Sequence, residues 1–538
     1  MRRGLIAGAF AAAAAFFLWI QWLRWLEPPG LDQSLFVLYG KWIRHGLVPY
    51  VDLWDSKPPA LFALYAVAQA VAGLFHAPRL LDGVAAAASG VLAFRLSRRE
   101  HEVAGVSGAR LDVGAWVAAL LAALVPSAPA FGGPRVAGQP EVLAAPLVLG
   151  AALAFRHGKQ ATVLLGGALL GGAACLKIVN VVLLPLAWAF VPAATRRDLR
   201  QAALVLAGWL LPVALCFAWL VSCGAWHEAV QAVLVFPRAY GAEIASRIPF
   251  GPALQRAASG LGQGLPLVLV LAVVGATAPP RRPLAAALLA WLALALAGAV
   301  AQRQLVDYQL FVVTTPLVLL AGRGAGWLWA RAGRMSNASR PGTGRRVAWI
   351  GAAAVGSVLG GMEVRSWTQH YATHVACRRG QIDRDTFALG FGRPGLMWVE
   401  AEKLSQTMPD PRSLRAGPLR ESILVWGLAP AVYALSGCQP ATRFVFHQTL
   451  LVEGSALARR WPDVQSRQAE LLERMRHDPP RFIVVVHGDR SGLEPRDSAA
   501  ELEDFAELDQ ILEQQYQRRS ATRSYELFER AEREREVE

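Results

Sequence analysis

The sequence predicts a mainly α-helical fold, a polytopic membrane helical bundle followed by a small C-terminal α/β domain. Three observations carry this prediction. Of the 538 residues, 54% are hydrophobic, and the mean hydropathy is +0.33. Apolar runs that approach the roughly 20 residues needed to cross a bilayer recur between residues 4 and 363. After residue 364 charged residues become more frequent. We therefore expect a transmembrane module over 1–363 and an extracytoplasmic domain over 364–538.

The apolar runs predict about eleven membrane spans. They lie at 4–26, 80–97, 113–130, 141–156, 161–176, 178–194, 202–221, 265–280, 284–301, 308–322 and 347–363. The first run ends without a small-residue cleavage site, so we expect it to remain in the chain as an anchor. A further run at 60–75 is short, is interrupted by Gln69 and follows two prolines. These features favour a juxtamembrane or re-entrant helix over a span.

The arginines orient these spans. If 60–75 does not cross, the Arg-rich loops share the side of the N-terminus, as the positive-inside rule requires. These loops contain Arg98, Arg99, Arg156, Arg196, Arg197, Arg281 and Arg282. The C-terminal domain and the loops 27–79 and 222–264 then lie outside. The net charge of +14 belongs to membrane-flanking loops. Because no basic stripe with interleaved aromatic residues is visible, we expect no nucleic-acid partner.

The C-terminal domain has the pattern of a small α/β layer. Strand-like runs are "ESILVWG" (421–427) and "RFIVVVHG" (481–488), and helical runs are "RQAELLERMRHD" (467–478) and "ELEDFAELDQILEQQYQ" (501–517). Cys377 and Cys438 both fall in this domain. An extracytoplasmic location would allow a disulfide between them, and two free thiols are the alternative.

Charged residues in the outside loops are the candidates for chemistry. The first loop contains "GLDQSLFVLYGKWIRHGLVPYVDLWDSKPP" (30–59). Asp32 follows the first span and is either a general base at the membrane boundary or the N-cap of the next helix. Lys57 either binds a phosphate or pairs with Asp52 or Asp55.

Later segments supply further candidates. Glu141 begins the fourth span and is either a site residue or a first-turn carboxylate favoured by the helix dipole. Lys177 lies between two spans and either faces a polar cavity or extends to the interface. Asp307 and Tyr308 open the tenth span as substrate contacts or as an interfacial anchor.

Two histidines raise the question of a metal. His370 and His374 are separated by about one helical turn, and Cys377 follows one turn later. No third carboxylate or histidine is evident nearby in the sequence, so we expect a solvated helix and predict no metal site.

The first loop resembles that of the GT-C superfamily of polyprenyl-phosphate-sugar-dependent glycosyltransferases. This superfamily includes protein O-mannosyltransferases, aminoarabinose transferases and galacturonosyltransferases. The resemblance is carried by an acidic residue after the first span, by "GLVPYVD" and by "WDSKPP". Weaker likenesses occur in "QPEVLAAPLVLGAAL", "LLGGALLGGAACLKIVNVVLL", "VDYQLFVVTTPLVLLAG" and "ILVWGLAPAVYALSGCQPATRFVF".

The resemblance implies roles for individual residues. Asp32 matches the catalytic aspartate, and Lys57 matches the lysine that contacts the lipid phosphate, with Lys177 as a second candidate for that contact. Glu141 matches the acidic residue of the second loop, with Gln139 as the alternative. Candidate substrate contacts are Tyr50, Asp52, Trp54, Asp55, Asp307 and Tyr308. The chain departs from many members in having Gln33 after Asp32, and Asp307–Tyr308 in place of histidine–tyrosine.

The expected function is the transfer of a sugar from a polyprenyl-phosphate donor to an envelope acceptor, which is a lipid, glycan or protein. The reaction would take place with inversion on the outer face of the bacterial inner membrane, among membrane lipids. We predict no cofactor, and a divalent metal is the alternative that the sequence does not support. The alternative function is a transporter or flippase of lipid-linked sugars, which would need broken helices and charges near the membrane midplane.

Overall fold

The computed structural model describes residues 2–103, 112–129, 136–192, 198–279, 283–302, 305–336, 343–408, 421–447, 464–490 and 496–531. Arg196, Arg197, Arg281 and Arg282 of the predicted inside loops lie outside the described residues. Helices predominate, and one sheet forms near the C-terminus.

The first half of the chain is helical. Its helices are α1 (Arg2–Arg24), α2 (Leu31–Ile43), α3 (Pro59–Ala72), α4 (Ala77–Val103), α5 (Asp112–Leu124), α6 (Pro140–His157), α7 (Gln160–Leu176), α8 (Leu186–Phe190), α9 (Leu199–Ser222), α10 (Trp226–Val230), α11 (Phe236–Arg247) and α12 (Phe250–Gly264). Short 3₁₀ helices occupy Val125–Ser127 and Ile178–Leu183, and Gln231–Val235 forms one π turn.

The second half adds helices and the sheet. Its helices are α13 (Pro266–Thr277), α14 (Pro283–Ala301), α15 (Phe311–Ser336), α16 (Thr343–Arg378), α17 (Arg384–Leu389), α18 (Arg393–Ser405), α19 (Pro430–Leu435), α20 (Val464–His477), α21 (Ser498–Glu503) and α22 (Ala506–Gln515). A 3₁₀ turn at Asp307–Leu310 precedes α15. The strands are β1 (Ser422–Trp426), β2 (Gln439–Pro440), β3 (Phe482–Val486), β4 (Tyr516–Ala521) and β5 (Tyr525–Arg530).

Four helical segments among the described residues are long and apolar enough to cross a membrane. They are Ala77–Arg98, Leu199–Ser222, Pro283–Ala301 and Asp307–Ala332. The consecutive helices α12 and α13 would add a fifth, but they meet at a bend of 95°. Several other predicted spans form shorter apolar helices, so the count of about eleven stays a prediction. The run at 60–75 is α3, which begins at Pro59 and has only 14 residues.

One predicted span has a different form. In place of a continuous helix over 178–194, the chain forms a 3₁₀ segment and then the five-residue helix α8. Pro185 lies between them and lacks the N–H that a continuous helix needs. The β-branched residues before it also lower helix propensity.

The chain forms two compact units that alternate along the sequence. The first unit contains Met1–Glu27, Pro78–Phe217 and Gly251–Ile382, and the second contains Pro28–Ala77, Ala218–Phe250 and Asp383–Glu538. The first predicted outside loop therefore belongs to the same compact unit as the C-terminal sheet. The division into a transmembrane module over 1–363 and a C-terminal domain over 364–538 stays a prediction.

Glycines allow close helix packing in the first unit. A Cβ on Gly167 of α7 would lie 2.3 Å from the carbonyl oxygen of Val205 in α9, and one on Gly208 of α9 would lie 2.1 Å from that of Leu164 in α7. Only glycine permits backbones to approach in this way, which is the small-residue packing typical of membrane helices.

The second unit is built around a mixed five-stranded sheet. Its strand order is β2-β1-β3-β5-β4, in which β1 pairs in parallel with β2 and β3. The remaining pairs, β3 with β5 and β5 with β4, are antiparallel. All five residues of β3, FIVVV, are buried, as expected for a central strand. The strand-like runs predicted at 421–427 and 481–488 are β1 and β3.

Candidate active site

Asp32 begins the candidate site in the second unit. Helix α2 starts at Leu31 with Gly30 as its N-cap, so Asp32 lies inside the first turn and does not cap the helix. A carboxylate is stabilised there by the positive end of the helix dipole. The Asp32 side chain keeps 20% of its surface exposed, so the carboxylate is accessible for chemistry.

Lys57 lies between two carboxylates of the same unit. Its Nζ is 3.7 Å from Oδ1 of Asp32 and 3.5 Å from Oδ1 of Asp55. The Lys57 side chain is 27% exposed, whereas that of Asp55 is only 6% exposed. The ammonium also lies over the ring of Phe36, at 5.7 Å from its centroid. Asp32, Asp55 and Lys57 are called the first-loop cluster below.

Opposite charges counteract the effect of burial on the pKa values of Lys57 and Asp55. Burial alone would lower the pKa of Lys57, but Asp55 and Asp32 raise it above its ordinary value. Burial raises the pKa of Asp55, and the nearby ammonium of Lys57 opposes that change. The structure thus keeps a cation beside the half-buried carboxylate of Asp32.

The backbone around Lys57 is fixed by local contacts. The Lys57 N–H donates to Oδ1 of Asp55 at 3.0 Å, and the hydroxyl of Tyr50 donates to the Lys57 carbonyl at 2.7 Å. Tyr50 has a φ of 70°, which is rare for a residue with a side chain. Pro58 is the N-cap of α3 and Pro59 its first residue, so Lys57 lies immediately before the helix. A strained backbone, such as the positive φ of Tyr50, is common where a loop positions functional groups.

Trp54 and Asp52 have structural contacts in this unit. Trp54 is 2% exposed and lies between Phe236, at 5.1 Å between ring centroids, and the guanidinium of Arg467, at 4.2 Å from its ring. Asp52 is exposed and accepts the N–H of Val48 at 2.7 Å, which closes the turn before Leu53. Tyr50 is fully buried as well, so neither aromatic ring presents a free face.

The first unit contains a second charged pair. Glu141 lies in the first turn of α6, is buried and forms an ion pair with Lys177, whose Nζ contacts its Oε1. Lys177 is the C-cap of α7 and keeps 20% of its side chain exposed. Its Nζ also lies 5.4 Å from the ring centroid of Tyr308. Gln139, the alternative to Glu141, is the buried N-cap of α6. Of these two residues, Glu141 forms the ion pair with Lys177. Asp307 is exposed in the turn before α15.

Comparison with known proteins identifies the fold. No family model and no curated protein matches this chain. Among solved structures it is similar to two crystal structures of ArnT from Cupriavidus metallidurans, one bound to undecaprenyl phosphate and one in the apo state. Their TM-scores are 0.55 and 0.51, each at 13% sequence identity, and each alignment covers 97% of this chain and 98% of ArnT. The chain has the ArnT fold.

The similarity to ArnT confirms the fold that the sequence resemblance implied. ArnT is an aminoarabinose transferase of the GT-C superfamily. The likeness extends over nearly the whole chain, whereas the sequence resemblance was specific only in the first loop. At 13% identity the comparison establishes the architecture, and the roles of individual residues depend on their geometry in this chain.

Sequence reasoning missed a buried ion-pair network in the first unit. Arg24 pairs with Asp82, and Oε2 of Glu27 lies 3.0 Å from the guanidinium of Arg79. Oε1 of Glu27 lies 2.9 Å from Nε2 of His374. The available signal was Asp82, a lone carboxylate inside the apolar run 80–97, because an ionisable residue at such a position requires a partner. No disulfide joins Cys377 and Cys438 within the described residues.

Proposed function

We propose that the chain is an integral membrane glycosyltransferase that takes its sugar from a polyprenyl-phosphate-linked donor. The ArnT fold supports this proposal, since one of the similar ArnT structures binds undecaprenyl phosphate. The observation that carries it is the 3.7 Å separation of Asp32 and Lys57 within one compact unit, with both side chains partly exposed. A base and a phosphate-binding cation are the two groups that such a transfer needs.

Asp32 is proposed as the general base. Its carboxylate would accept the proton of the acceptor hydroxyl as that oxygen attacks the anomeric carbon. The bond from this carbon to the phosphate oxygen breaks on the opposite face of the sugar, so the configuration inverts. The exposed fraction of Asp32 leaves the carboxylate accessible, and its place in the first turn of α2 favours a negative charge there.

Lys57 is proposed to bind the donor phosphate. Negative charge grows on the leaving phosphate in the transition state, and a fixed ammonium in a partly dry site stabilises that charge by about 3 kcal/mol. Its raised pKa keeps it protonated at neutral pH. Asp55 is proposed to orient Lys57 through the ion pair and through the hydrogen bond to its N–H.

The other candidates have supporting roles in this proposal. Tyr50 and Trp54 stabilise the loop from within, because their buried rings leave no face for stacking on a sugar. Asp52 holds the turn before them. Lys177, Asp307 and Tyr308 remain proposed contacts for the donor, with Lys177 held by Glu141. We place the protein in the bacterial inner membrane, with the C-terminal domain in the periplasm and an envelope molecule as acceptor.

The proposal is tested by Asp32→Asn in the purified full-length protein. With a polyprenyl-phosphate sugar and an envelope extract as acceptor, mass spectrometry should show at least about 1,000-fold less transferred sugar than with the wild type, because the amide cannot accept the proton. Asp478→Asn, an exposed aspartate after α20, is the matched control and should retain full activity.

Two results would contradict the proposal. Near-normal turnover of Asp32→Asn would show that Asp32 is not the general base. Movement of lipid-linked sugar across vesicles, with no sugar transferred by the wild type, would identify a transporter. In cells, deletion should cause one envelope molecule to lose a sugar while the undecaprenyl-linked donor accumulates.

A further inference from the structure

Three potential metal ligands converge in the first unit, away from the first-loop cluster. Glu27 follows the end of α1, and His370 and His374 lie one turn apart near the end of α16. One donor atom from each residue lies within 4.8 Å of the other two. Glu27 and His374 are buried, and His370 is half-buried. The third ligand that the sequence did not reveal is thus supplied by a residue 347 positions upstream of His374.

The two oxygens of Glu27 have different surroundings. Oε2 lies 3.0 Å from the guanidinium of Arg79 and 3.7 Å from that of Arg24. Oε1 lies 2.9 Å from Nε2 of His374. The arginines therefore orient the carboxylate through one oxygen and leave the other directed at the imidazoles. Carboxylates that neighbouring groups orient in this way are typical of metal ligands.

The hydrogen bond of His374 fixes its tautomer. Nδ1 lies 3.2 Å from the carbonyl oxygen of His370, which can only accept, so the hydrogen is on Nδ1. The neutral ring then presents the lone pair of Nε2 to Oε1 of Glu27. Two acceptors at 2.9 Å repel each other unless a cation lies with them, and that cation is either a proton or a metal ion.

His370 distinguishes these two cations. Its Nε2 is buried and has no hydrogen-bond partner among the described residues. A proton on His374 would satisfy the pair with Glu27 but would leave Nε2 of His370 unpaired, at a cost of about 1–3 kcal/mol. A metal ion between Oε1 of Glu27 and Nε2 of His374 would offer the imidazole of His370 a partner as the third ligand.

The local charge does not oppose a metal. The carboxylates of Glu27 and Asp82 balance the guanidinium groups of Arg24 and Arg79. A proton on His374 would add one positive charge to this set. A zinc ion with a bound hydroxide would add the same net charge, and zinc lowers the pKa of bound water to about 7.

We propose that Glu27, His370 and His374 form a zinc site that joins the end of α1 to α16. Two imidazole nitrogens and one carboxylate oxygen are a common zinc ligand set, with ligand distances of about 2.0–2.2 Å and a fourth position for water. The paired histidines on one helix face supply two ligands without backbone rearrangement. This site does not depend on the proposed transfer reaction.

The full-length protein in detergent tests the site directly. After dialysis against buffered zinc and removal of loose metal, elemental mass spectrometry should find one zinc ion per chain. Cobalt(II) in place of zinc should give the intense visible absorption of a four-coordinate nitrogen and oxygen site. This wild-type measurement does not depend on how any variant folds.

His370→Ala is the discriminating variant. Its half-buried ring has no hydrogen bond from Nε2 within the described part of the chain, so removal should leave the fold intact while zinc affinity falls more than about 100-fold. His227→Ala, at an exposed histidine of α10, should retain the metal. Wild-type protein without bound zinc or a cobalt spectrum, or equal zinc content in His370→Ala and the wild type, would overturn the proposal.

Discussion

The ammonium of Lys41 in α2 donates a hydrogen bond of 2.8 Å to the carbonyl of Ser436, the residue that follows α19. It also reaches the carbonyl of Ala434 at 3.3 Å. These carbonyls belong to a helix end, where backbone acceptors lack partners within the helix. The helix that positions Asp32 is thereby fixed to the segment that links β1 and β2.

Lys41→Met should change the pH dependence of stability. Burial lowers the pKa of Lys41 to about 8 from its ordinary 10.5. Between these values the unfolded chain keeps the proton and the folded chain loses it, so the contribution of Lys41 to stability rises with pH. In thermal unfolding in detergent, the Tm of the wild type should therefore increase relative to that of Lys41→Met between about pH 8 and pH 10. A constant difference across that range would show that Lys41 does not titrate in the folded protein.

Lys57→Ala should lower kcat/KM for the polyprenyl-phosphate donor by about 100-fold, which corresponds to about 3 kcal/mol of phosphate stabilisation. Lys57→Arg should recover part of this loss because the charge remains. Lys403→Ala removes an exposed lysine of α18 and should have no effect. An unchanged donor dependence in Lys57→Ala would show that the phosphate binds elsewhere.

The local sequence pattern was sufficient to predict a feature where one short segment contains all of it. Asp32 and Lys57 lie in one loop with strong turn and helix-start signals, and their proximity follows from the short chain between them. The buried run FIVVV likewise identifies β3 without tertiary information. In contrast, the pairing of Glu27 with His374 depends on packing between distant helices, and no local signal predicts it.

The end of the chain shows how a polar pattern misleads. The run 501–517 was predicted as one helical stretch, but it forms α21 and α22 and becomes strand β4 at Tyr516. β4 is an edge strand with mostly exposed side chains, so its apolar alternation is weak. Its pairing with β5 supplies the strand preference that its own residues lack.

Gly40→Ala should destabilise the packing between α2 and α3. A Cβ at Gly40 would lie 2.9 Å from the backbone carbonyl carbon of Tyr65 and 3.0 Å from the nitrogen of Ala66. Neither backbone atom can move alone, so the helices must separate, at a cost of about 1–3 kcal/mol that exceeds the higher helix propensity of alanine. The move would also displace Asp32 from Lys57.

Thermal unfolding and turnover both test the Gly40 variant. Gly360→Ala, in α16, is the control because no heavy atom lies within 4 Å of its Cβ position. We expect Gly40→Ala to lower both Tm and kcat. Gly360→Ala should lower neither of them. An unaltered Tm for Gly40→Ala would show that the close approach of α2 and α3 is not needed.

Glu141→Gln should destabilise the first unit by about 2–3 kcal/mol, since it leaves the ammonium of Lys177 beside a buried neutral group. Lys177→Met should have a similar effect because the carboxylate of Glu141 is fully buried. The double variant Glu141→Gln/Lys177→Met should lose less free energy of unfolding than the two single variants lose together. The difference, which is the coupling energy of the pair, should be about 1–3 kcal/mol.

The same double variant separates structure from catalysis. If Lys177 contacts the donor phosphate, the double variant should recover stability without recovering kcat/KM, because the contribution of the Lys177 ammonium to phosphate binding is lost. If the pair serves only to join α6 and α7, activity should return together with Tm. Measuring unfolding in detergent and donor-dependent turnover on the same preparations decides whether Lys177 acts on substrate or only neutralises Glu141.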